Sequence, residues 1–315
     1  MRVRAASVCR APQRTLWKNG AMTMPASPLG LLLDVDGPIA SPVTRTISTP
    51  GILADLITLA AAHVPIAFIT GRSATFIREQ VVAPLVAAGL PETFRMYGVC
   101  EKGAVWFPIG SDGMGEVEVD RALALPTAVV TEVRQLVAES FATEMFFDET
   151  KQAMISVEQR TDVSHADFLS RQPEFNAAAF AIMVKHGLGV RWDDQESADG
   201  SGEIPFRLDA TIISTDIESV TLDKDHAAKR ALAYFAQSGP LPQLWRSVGD
   251  SRSDYRMADH LHEAGYDVSH VDVRPSDGLL DRPYPVIVIG DQIHDEAGAT
   301  FLHYWVEKLG LPAQA

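Results

Sequence analysis

The stretch Leu29-Gly-Leu-Leu-Leu-Asp34-Val-Asp36-Gly37 decides the fold of this chain of 315 residues. It is a short apolar run that ends in two carboxylates and a glycine. A continuous apolar run of this length is typical of a strand that is buried on both faces of a parallel sheet. Four similar runs follow along the chain, at Pro65–Thr70, Phe94–Tyr97, Leu244–Gly249 and Tyr284–Gly290.

Helical patterns lie between these runs. One begins at Pro50, a second follows Ser73 and a third begins near Asp225, and each carries apolar residues at helical spacing. Strands that alternate with helices favour a parallel sheet with right-handed crossovers. We therefore predict an α/β fold built on a Rossmann-like parallel sheet.

The middle of the chain has a different pattern, in which strands and helices do not alternate regularly. It predicts a smaller α+β unit over residues 105–222, inserted into a first domain made of 28–104 and 223–315. The predicted strands of this unit are Glu116–Val119, Ala153–Glu158 and Leu208–Ser214, and its two long helices lie near 126–141 and 165–186.

Composition excludes several classes of protein. At 46% hydrophobic residues the chain can fill a sizeable core, yet it has no apolar run of about 18 residues that could span a membrane. A net charge of −14 argues against nucleic acid or an anionic membrane as a partner. Cys9 and Cys100 are too few for a disulfide framework. These features favour a cytoplasmic protein.

The first residues form a separate, basic segment. Residues 1–27 contain five arginines and lysines and no acid, and they lack the apolar stretch of a secretory signal. We expect a disordered leader here. There are two alternatives: a transit peptide, and translation that begins near Met22 or Met24.

The first chemical feature is the pair of carboxylates Asp34 and Asp36 directly after a predicted strand. Open α/β sheets place their sites at the carboxyl ends of their strands. One carboxylate in such a pair can attack an electrophile, while the other can donate a proton to a leaving group. By itself the pattern is also ordinary turn chemistry before a glycine.

The next two features could bind an anion. In Thr70-Gly71-Arg72-Ser73, a hydroxyl and backbone N–H groups meet at a helix N-terminus, where anions bind readily, although a simple helix cap has the same residues. Lys224 lies just before a helix, and by itself it resembles an ordinary solvated lysine.

The fourth feature could bind a cation. Asp250 ends a predicted strand and Asp254 lies one turn along the following helix, so their carboxylates can converge. Sites rich in carboxylate oxygen suit Mg²⁺. Because all four features fall at one edge of the predicted sheet, a catalytic site explains them better than four unrelated turns and caps do.

Together these motifs resemble those of the haloacid dehalogenase (HAD) superfamily of aspartyl-phosphate hydrolases. The resemblance spans about residues 29–295, and the long interval between Thr70 and Lys224 matches the place of the family's C2-type caps. Tyr97–Ala104 resembles the Glu-Asn-Gly-Ala turn that leads into such caps, with Lys102 in place of the asparagine. The matching motifs are Asp34-Val-Asp36-Gly37, Thr70, Lys224 and Gly249-Asp250-Ser251-x-x-Asp254.

The resemblance implies a Mg²⁺-dependent phosphatase with a Rossmann-like core and an inserted C2-type cap. Asp34 would be the nucleophile that forms an aspartyl-phosphate, and Asp36 would be the general acid and base. The implied catalytic and phosphate-binding residues also include Thr70, Gly71, Arg72 and Lys224. The implied metal ligands are Asp34, Asp36, Asp250 and Asp254.

The motifs are most similar to those of sugar-phosphate phosphatases with C2 caps, including the sucrose- and trehalose-phosphate types. We therefore expect a small phosphorylated metabolite as substrate, with Arg160, Arg191 and Arg207 as candidate contacts from the cap. A phosphomutase of the same fold is one alternative, because it would share the two catalytic carboxylates. A non-catalytic regulator that binds sugar phosphate is another, but it would not need Asp36. The oligomeric state is left open.

Overall fold

A computed structural model of the chain describes residues 26–312, which form two β-sheets with helices packed against both. The basic leader predicted over 1–27 lies almost wholly outside this range. Within it, no helix combines the length and the apolar character needed to cross a bilayer. The strands are β1 (Leu29–Leu33), β2 (Ile66–Ile69), β3 (Met96–Cys100), β4 (Val105–Gly110), β5 (Gly113–Met114), β6 (Glu118–Val119), β7 (Met145–Phe147), β8 (Ile155–Gln159), β9 (Val190–Trp192), β10 (Gln195–Ser197), β11 (Phe206–Ala210), β12 (Ser214–Ser219), β13 (Leu244–Gly249), β14 (Asp267–Asp272) and β15 (Val286–Ile287). The α-helices are α1 (Ile52–Ala61), α2 (Ala74–Ile77), α3 (Ala83–Ala88), α4 (Thr127–Leu136), α5 (His165–Lys185), α6 (Lys224–Ser238), α7 (Tyr255–Glu263) and α8 (His294–Lys308).

The first sheet is parallel through six strands, in the order β15-β14-β13-β1-β2-β3. This confirms the predicted α/β fold. Strand β14 was not among the predicted strands, because four of its six residues are polar and it contains no continuous apolar run. Its neighbours β13 and β15 hold it in the sheet nonetheless.

Strand β1 is buried on both faces, as its apolar run predicts. Leu31 and Leu33 belong to the hydrophobic cluster that includes α1 and α8, whereas Leu32 belongs to the cluster that includes α6 and α7. Alternate side chains of one strand therefore fill two separate halves of the core. A central position in a parallel sheet requires this pattern.

The second sheet has six strands, in the order β10-β9-β11-β12-β8-β7, and all its pairs are antiparallel except β9 with β11. Helices α4 and α5 cover one face of this sheet. Val133 of α4 and Phe168 of α5 share a buried cluster with Val157 and Ile217 of the sheet. The opposite face of the sheet carries polar side chains and is turned towards the carboxyl ends of the first sheet.

Two details of the middle region differ from the predictions. Strands β4, β5 and β6 pair with the edge of the first sheet, so the first 15 residues or so of the predicted insert over 105–222 extend that sheet. The prediction of one strand at Leu208–Ser214 is wrong, because the chain reverses there between β11 and β12. Thr211 closes this reversal by donating its N–H to Ser214 O at 2.8 Å. The division of the chain into domains stays a prediction.

Candidate active site

The residues singled out from the sequence lie at the carboxyl ends of three neighbouring strands. Asp34 follows β1, Thr70 follows β2 and Asp250 follows β13, and these strands are adjacent in the order β13-β1-β2. Lys224 is the first residue of α6, and its side chain reaches the same place. The sheet topology thus brings together residues that are as far as 216 positions apart in the sequence.

Three carboxylates converge here, and two of them pair with one ammonium group. Oxygen atoms of Asp34, Asp250 and Asp254 all lie within 4.8 Å of one another. Lys224 Nζ is 2.6 Å from Asp34 Oδ1 and 2.6 Å from Asp254 Oδ1, and it donates to the Ile69 carbonyl at 3.1 Å. Both Asp254 and Lys224 are buried, so water screens this excess of negative charge poorly.

The pKa values follow from this crowding. Burial raises the pKa of Asp34 well above its usual value, and the charge of Asp254 adds to this effect while Lys224 opposes it. Burial and Asp254 also raise the pKa of Asp250 to about 6. Asp254 is the opposite case, because burial would raise its pKa but Lys224 and the hydrogen bond from Ser251 together lower it. Burial therefore disfavours the charged form of two of the three carboxylates.

Asp254 shapes the loop that presents Asp250. Its Oδ2 accepts the N–H of Asp250 at 3.1 Å and the N–H of Ser251 at 2.9 Å. The Asp250 carboxylate then approaches Gly37, which has a φ of +98° and where an added Cβ would lie 2.8 Å from the Asp250 side chain. A glycine is needed there both for the backbone conformation and for the close approach.

The turn after β2 collects polar groups suited to an anion. Thr70 Oγ1 accepts the N–H of Arg72 at 3.0 Å, which leaves the hydroxyl proton of Thr70 available to a ligand. Ser73 caps the following helix, as the sequence predicts. Lys151, from the loop before β8, donates its Nζ to the Gly71 carbonyl at 2.6 Å. This turn therefore has a hydroxyl and an ammonium group beside it.

Asp36 is held by Arg72 instead of pointing freely into solvent. Arg72 Nε lies 3.1 Å from Asp36 Oδ2, and Arg72 Nη2 lies 3.2 Å from Oδ1, which is a bidentate pair. The same guanidinium is 3.8 Å from Glu158 of β8. Arg72 thus connects the predicted general acid of the first sheet with the second sheet.

A cleft of about 580 Å³ separates the two sheets above these residues. Strands β8, β11 and β12 form its far wall, because alternate residues of a strand point to opposite faces. Their apolar residues, such as Val157, Leu208 and Ile217, pack against the helices. Their polar residues line the cleft: Ser156, Glu158, Arg207, Asp209, Ser214 and Asp216. We call this set the polar wall.

Most of the polar wall is not predicted from the sequence. Of its three strands only β8 is predicted with about its observed bounds, and polar alternate residues look like an ordinary solvated face until a second sheet is placed opposite. Of the three candidate arginines, Arg207 lines the cleft, and its guanidinium binds Glu218 at 2.7 Å. The side chain of Arg160 is 41% exposed and paired with Asp162. Arg191 is exposed on β9 beside Arg207 and does not line the cleft.

Comparison with solved structures identifies the fold. The C-terminal domain of trehalose-6-phosphate phosphatase from C. albicans superposes with a TM-score of 0.54 at 13% identity, over 89% of this chain and 93% of that chain. A trehalose-6-phosphate phosphatase related protein gives 0.54 at 14% identity, over 89% and 98% of the two chains. A haloacid dehalogenase-like hydrolase from Bacteroides thetaiotaomicron gives 0.54 at 10% identity, over 89% and 100%.

These similarities establish the fold that the motifs predict. The chain has the fold of haloacid dehalogenase-like hydrolases, a Rossmann-like core that carries a cap. At 10–14% identity the similarity shows the fold alone. No protein-family model and no curated protein sequence matches the chain.

Proposed function

We propose that this protein is a Mg²⁺-dependent phosphoric monoester hydrolase that acts on a small sugar phosphate through an aspartyl-phosphate intermediate. The observation that carries the proposal is the convergence of Asp34, Asp250 and Asp254, two of which pair with Lys224, beside the anion-binding turn at Thr70. A nucleophile, a cation site and an anion site within one cleft are the parts that phosphoryl transfer to a carboxylate requires.

The residues present fit a magnesium ion. Burial and the charge of Asp254 raise the pKa values of Asp34 and Asp250, and a divalent cation would offset this repulsion between carboxylates. Asp34 and Asp250 are the proposed side-chain ligands, with Asp36 and Asp254 close by. When bound, Mg²⁺ would offset negative charge on the transferring phosphoryl oxygens.

The protein's own residues account for each chemical step of the proposal. One carboxylate oxygen of Asp34 attacks phosphorus, and the bond from phosphorus to the ester oxygen breaks. Asp36 gives its proton to that oxygen, and the alcohol leaves. Asp36 then removes a proton from water, whose oxygen attacks phosphorus, and inorganic phosphate leaves with Asp34 restored. Thr70 and Lys224 stabilise the charge that develops on the phosphoryl oxygens.

The polar wall supports an uncharged, hydroxyl-rich leaving group. Its carboxylates Glu158, Asp209 and Asp216 pair with Arg72 or Lys102, and a carboxylate has more lone pairs than these contacts use. Sugar hydroxyls can donate to the remaining lone pairs. Two solved structures of the same fold are a trehalose-6-phosphate phosphatase domain and a related protein, which agrees with this substrate class.

The test is phosphate release from a panel of metabolites, measured with and without Mg²⁺. The panel contains glucose 6-phosphate, trehalose 6-phosphate, glycerol 3-phosphate, fructose 1,6-bisphosphate and AMP. We expect a sugar monophosphate to be the best substrate and Asp34→Asn to be inactive. Release that persists in Asp34→Asn, or that is fastest with AMP or the bisphosphate, contradicts the proposal.

The same assay separates the alternative functions. A phosphomutase would convert one sugar monophosphate into its isomer, and it would release little inorganic phosphate. A non-catalytic binding protein would be stabilised against heat by a panel member without consuming it. Isomer formation followed by chromatography, and thermal melting with each compound, distinguish these outcomes.

A further inference from the structure

Lys102 occupies a backbone position that suits another residue. It lies in the turn between β3 and β4 with φ of +54°, the left-handed region that asparagine adopts more readily than lysine. Its N–H donates to the Thr70 carbonyl at 3.1 Å, so its backbone is fixed to the anion-binding turn. The contacts of the lysine side chain must therefore explain why lysine occupies this position.

The side chain of Lys102 leaves the first sheet and reaches three carboxylates of the second. Lys102 Nζ lies 2.8 Å from Glu218, 3.3 Å from Asp209 and 3.3 Å from Asp216. These acids are on the neighbouring strands β11 and β12, on the face that lines the cleft. One ammonium group thus joins the turn after β3 to two strands of the polar wall.

The electrostatics show that these carboxylates depend on their basic partners. Glu218 is fully buried, and burial raises its pKa although Lys102 and Arg207 oppose this. Burial by itself would lower the pKa of Lys102, but Asp216, Glu218 and Asp209 outweigh it and the pKa is raised. The two bases and three acids nearly balance in charge, which is the condition for a partly buried ionic cluster to be stable.

We propose that Lys102 is a positioning residue that ties the polar wall to the anion-binding turn and thereby determines which leaving groups fit the cleft. The proposal rests on the proposed phosphatase function for its substrate readout. Asp209 is 43% exposed at its side chain, so it keeps acceptor capacity for a ligand while Lys102 fixes its distance from Thr70. A shift of the wall by about 1 Å would misplace a bound sugar but leave the phosphoryl-transfer groups in place.

The first test compares two substrates of different size in Lys102→Asn. Asparagine tolerates the left-handed backbone, so the variant removes the ammonium group without adding strain. We expect kcat/KM for the best sugar monophosphate of the panel to fall about tenfold or more, while kcat/KM for p-nitrophenyl phosphate, which has no hydroxyl for the wall, stays within about twofold. Lys102→Arg keeps the charge and should restore most of the loss.

The second test measures whether Lys102 holds the polar wall in place, and it does not depend on enzyme activity. Hydrogen–deuterium exchange should become about tenfold faster across β11 and β12 in Lys102→Asn and not in the remote strand β14. Lys185→Gln is the matched control, because Lys185 is an exposed lysine of α5 that pairs with Glu132 away from the cleft. Its exchange and kinetics should equal those of the wild type.

The outcomes separate the two proposals. Equal loss on both substrates, or exchange in β11 and β12 that does not change, overturns the positioning role of Lys102. If the wild type hydrolyses no phosphate ester, the phosphatase proposal fails, and the exchange experiment still decides whether Lys102 ties the wall to the turn. Should Lys102→Asn fold poorly, Asp209→Asn replaces it in the exchange experiment, since that change removes one of the same ion pairs at a more exposed position.

Discussion

The carboxyl edge of the first sheet, with Asp34, Asp250 and Asp254, and the polar wall of the second sheet differ in how closely their charges are matched. At this edge, Asp34 and Asp254 pair with Lys224 at 2.6 Å, whereas the nearest base to Asp250 is Arg274, at 3.9 Å. Burial raises the pKa values of Asp34 and Asp250.

On the wall, Lys102 lies within 3.3 Å of Asp209, Asp216 and Glu218, and Arg207 adds a second pair to Glu218 at 2.7 Å. The first cluster leaves one carboxylate without a close ion pair, and the second pairs each of its three acids.

This difference assigns different roles to two clusters of similar composition. A buried cluster in which a carboxylate lacks a close ion pair destabilises the fold. Such clusters persist in proteins where function needs them. A complete cluster is held by its own ion pairs and serves to fix geometry. Removing an acid should therefore reduce the repulsion between carboxylates at the edge. Removing a base should leave negative charge uncompensated at the wall.

The largest expected effect is that of Asp34→Asn on turnover. The amide cannot attack phosphorus, so phosphate release should fall at least about a thousandfold. The variant should still fold, because the neutral amide replaces a carboxylate whose pKa is already raised by burial. Circular dichroism checks the fold, and activity close to that of the wild type would refute Asp34 as the nucleophile.

Asp250→Asn should separate metal binding from stability. With one fewer carboxylate, the Mg²⁺ concentration for half-maximal activity should rise about tenfold or more. Without metal, the variant should be more stable than the wild type by on the order of 1–2 kcal/mol at pH 7, because a repelling charge is gone. Thermal melting with and without Mg²⁺ measures both effects. An unchanged response to Mg²⁺ would remove Asp250 from the ligand set.

Arg207→Gln should destabilise the protein, which is the opposite of the effect expected for Asp250→Asn. It takes one of two bases from the fully buried Glu218, so the free energy of unfolding should fall by about 1–3 kcal/mol. Urea denaturation of the variant and the wild type provides the measurement. If Arg207→Gln stabilised the protein as Asp250→Asn is expected to do, the contrast between the two clusters would be lost.

The smallest effect is expected for Arg160→Ala. The sequence made Arg160 a candidate for substrate contact, but its side chain is exposed and bound to Asp162 outside the cleft. Neither the melting temperature nor kcat/KM for any panel substrate should change measurably. A clear loss of activity would show that the cleft extends to this part of the second sheet during turnover.

The sequence predicted the first sheet and its edge well, because the evidence for both is local. Asp34, Thr70 and Asp250 each follow an apolar strand directly, and the carboxyl ends of parallel strands must share one edge. The polar wall was not predictable in the same way. Asp209 and Asp216 alternate with apolar neighbours as the residues of any half-exposed strand do, so nothing in the sequence shows what lies opposite them.

What the sequence alone determined is the class of fold and which polar residues follow its apolar strands, since each of these patterns is local in the chain. Only the tertiary structure decided which charges are matched and which are not. Lys102 meets Glu218 across 116 positions, and Lys224 meets Asp34 across 190. Such pairs form because two sheets pack around one cleft, and the balance of charge in each cluster depends on distances that no local pattern encodes.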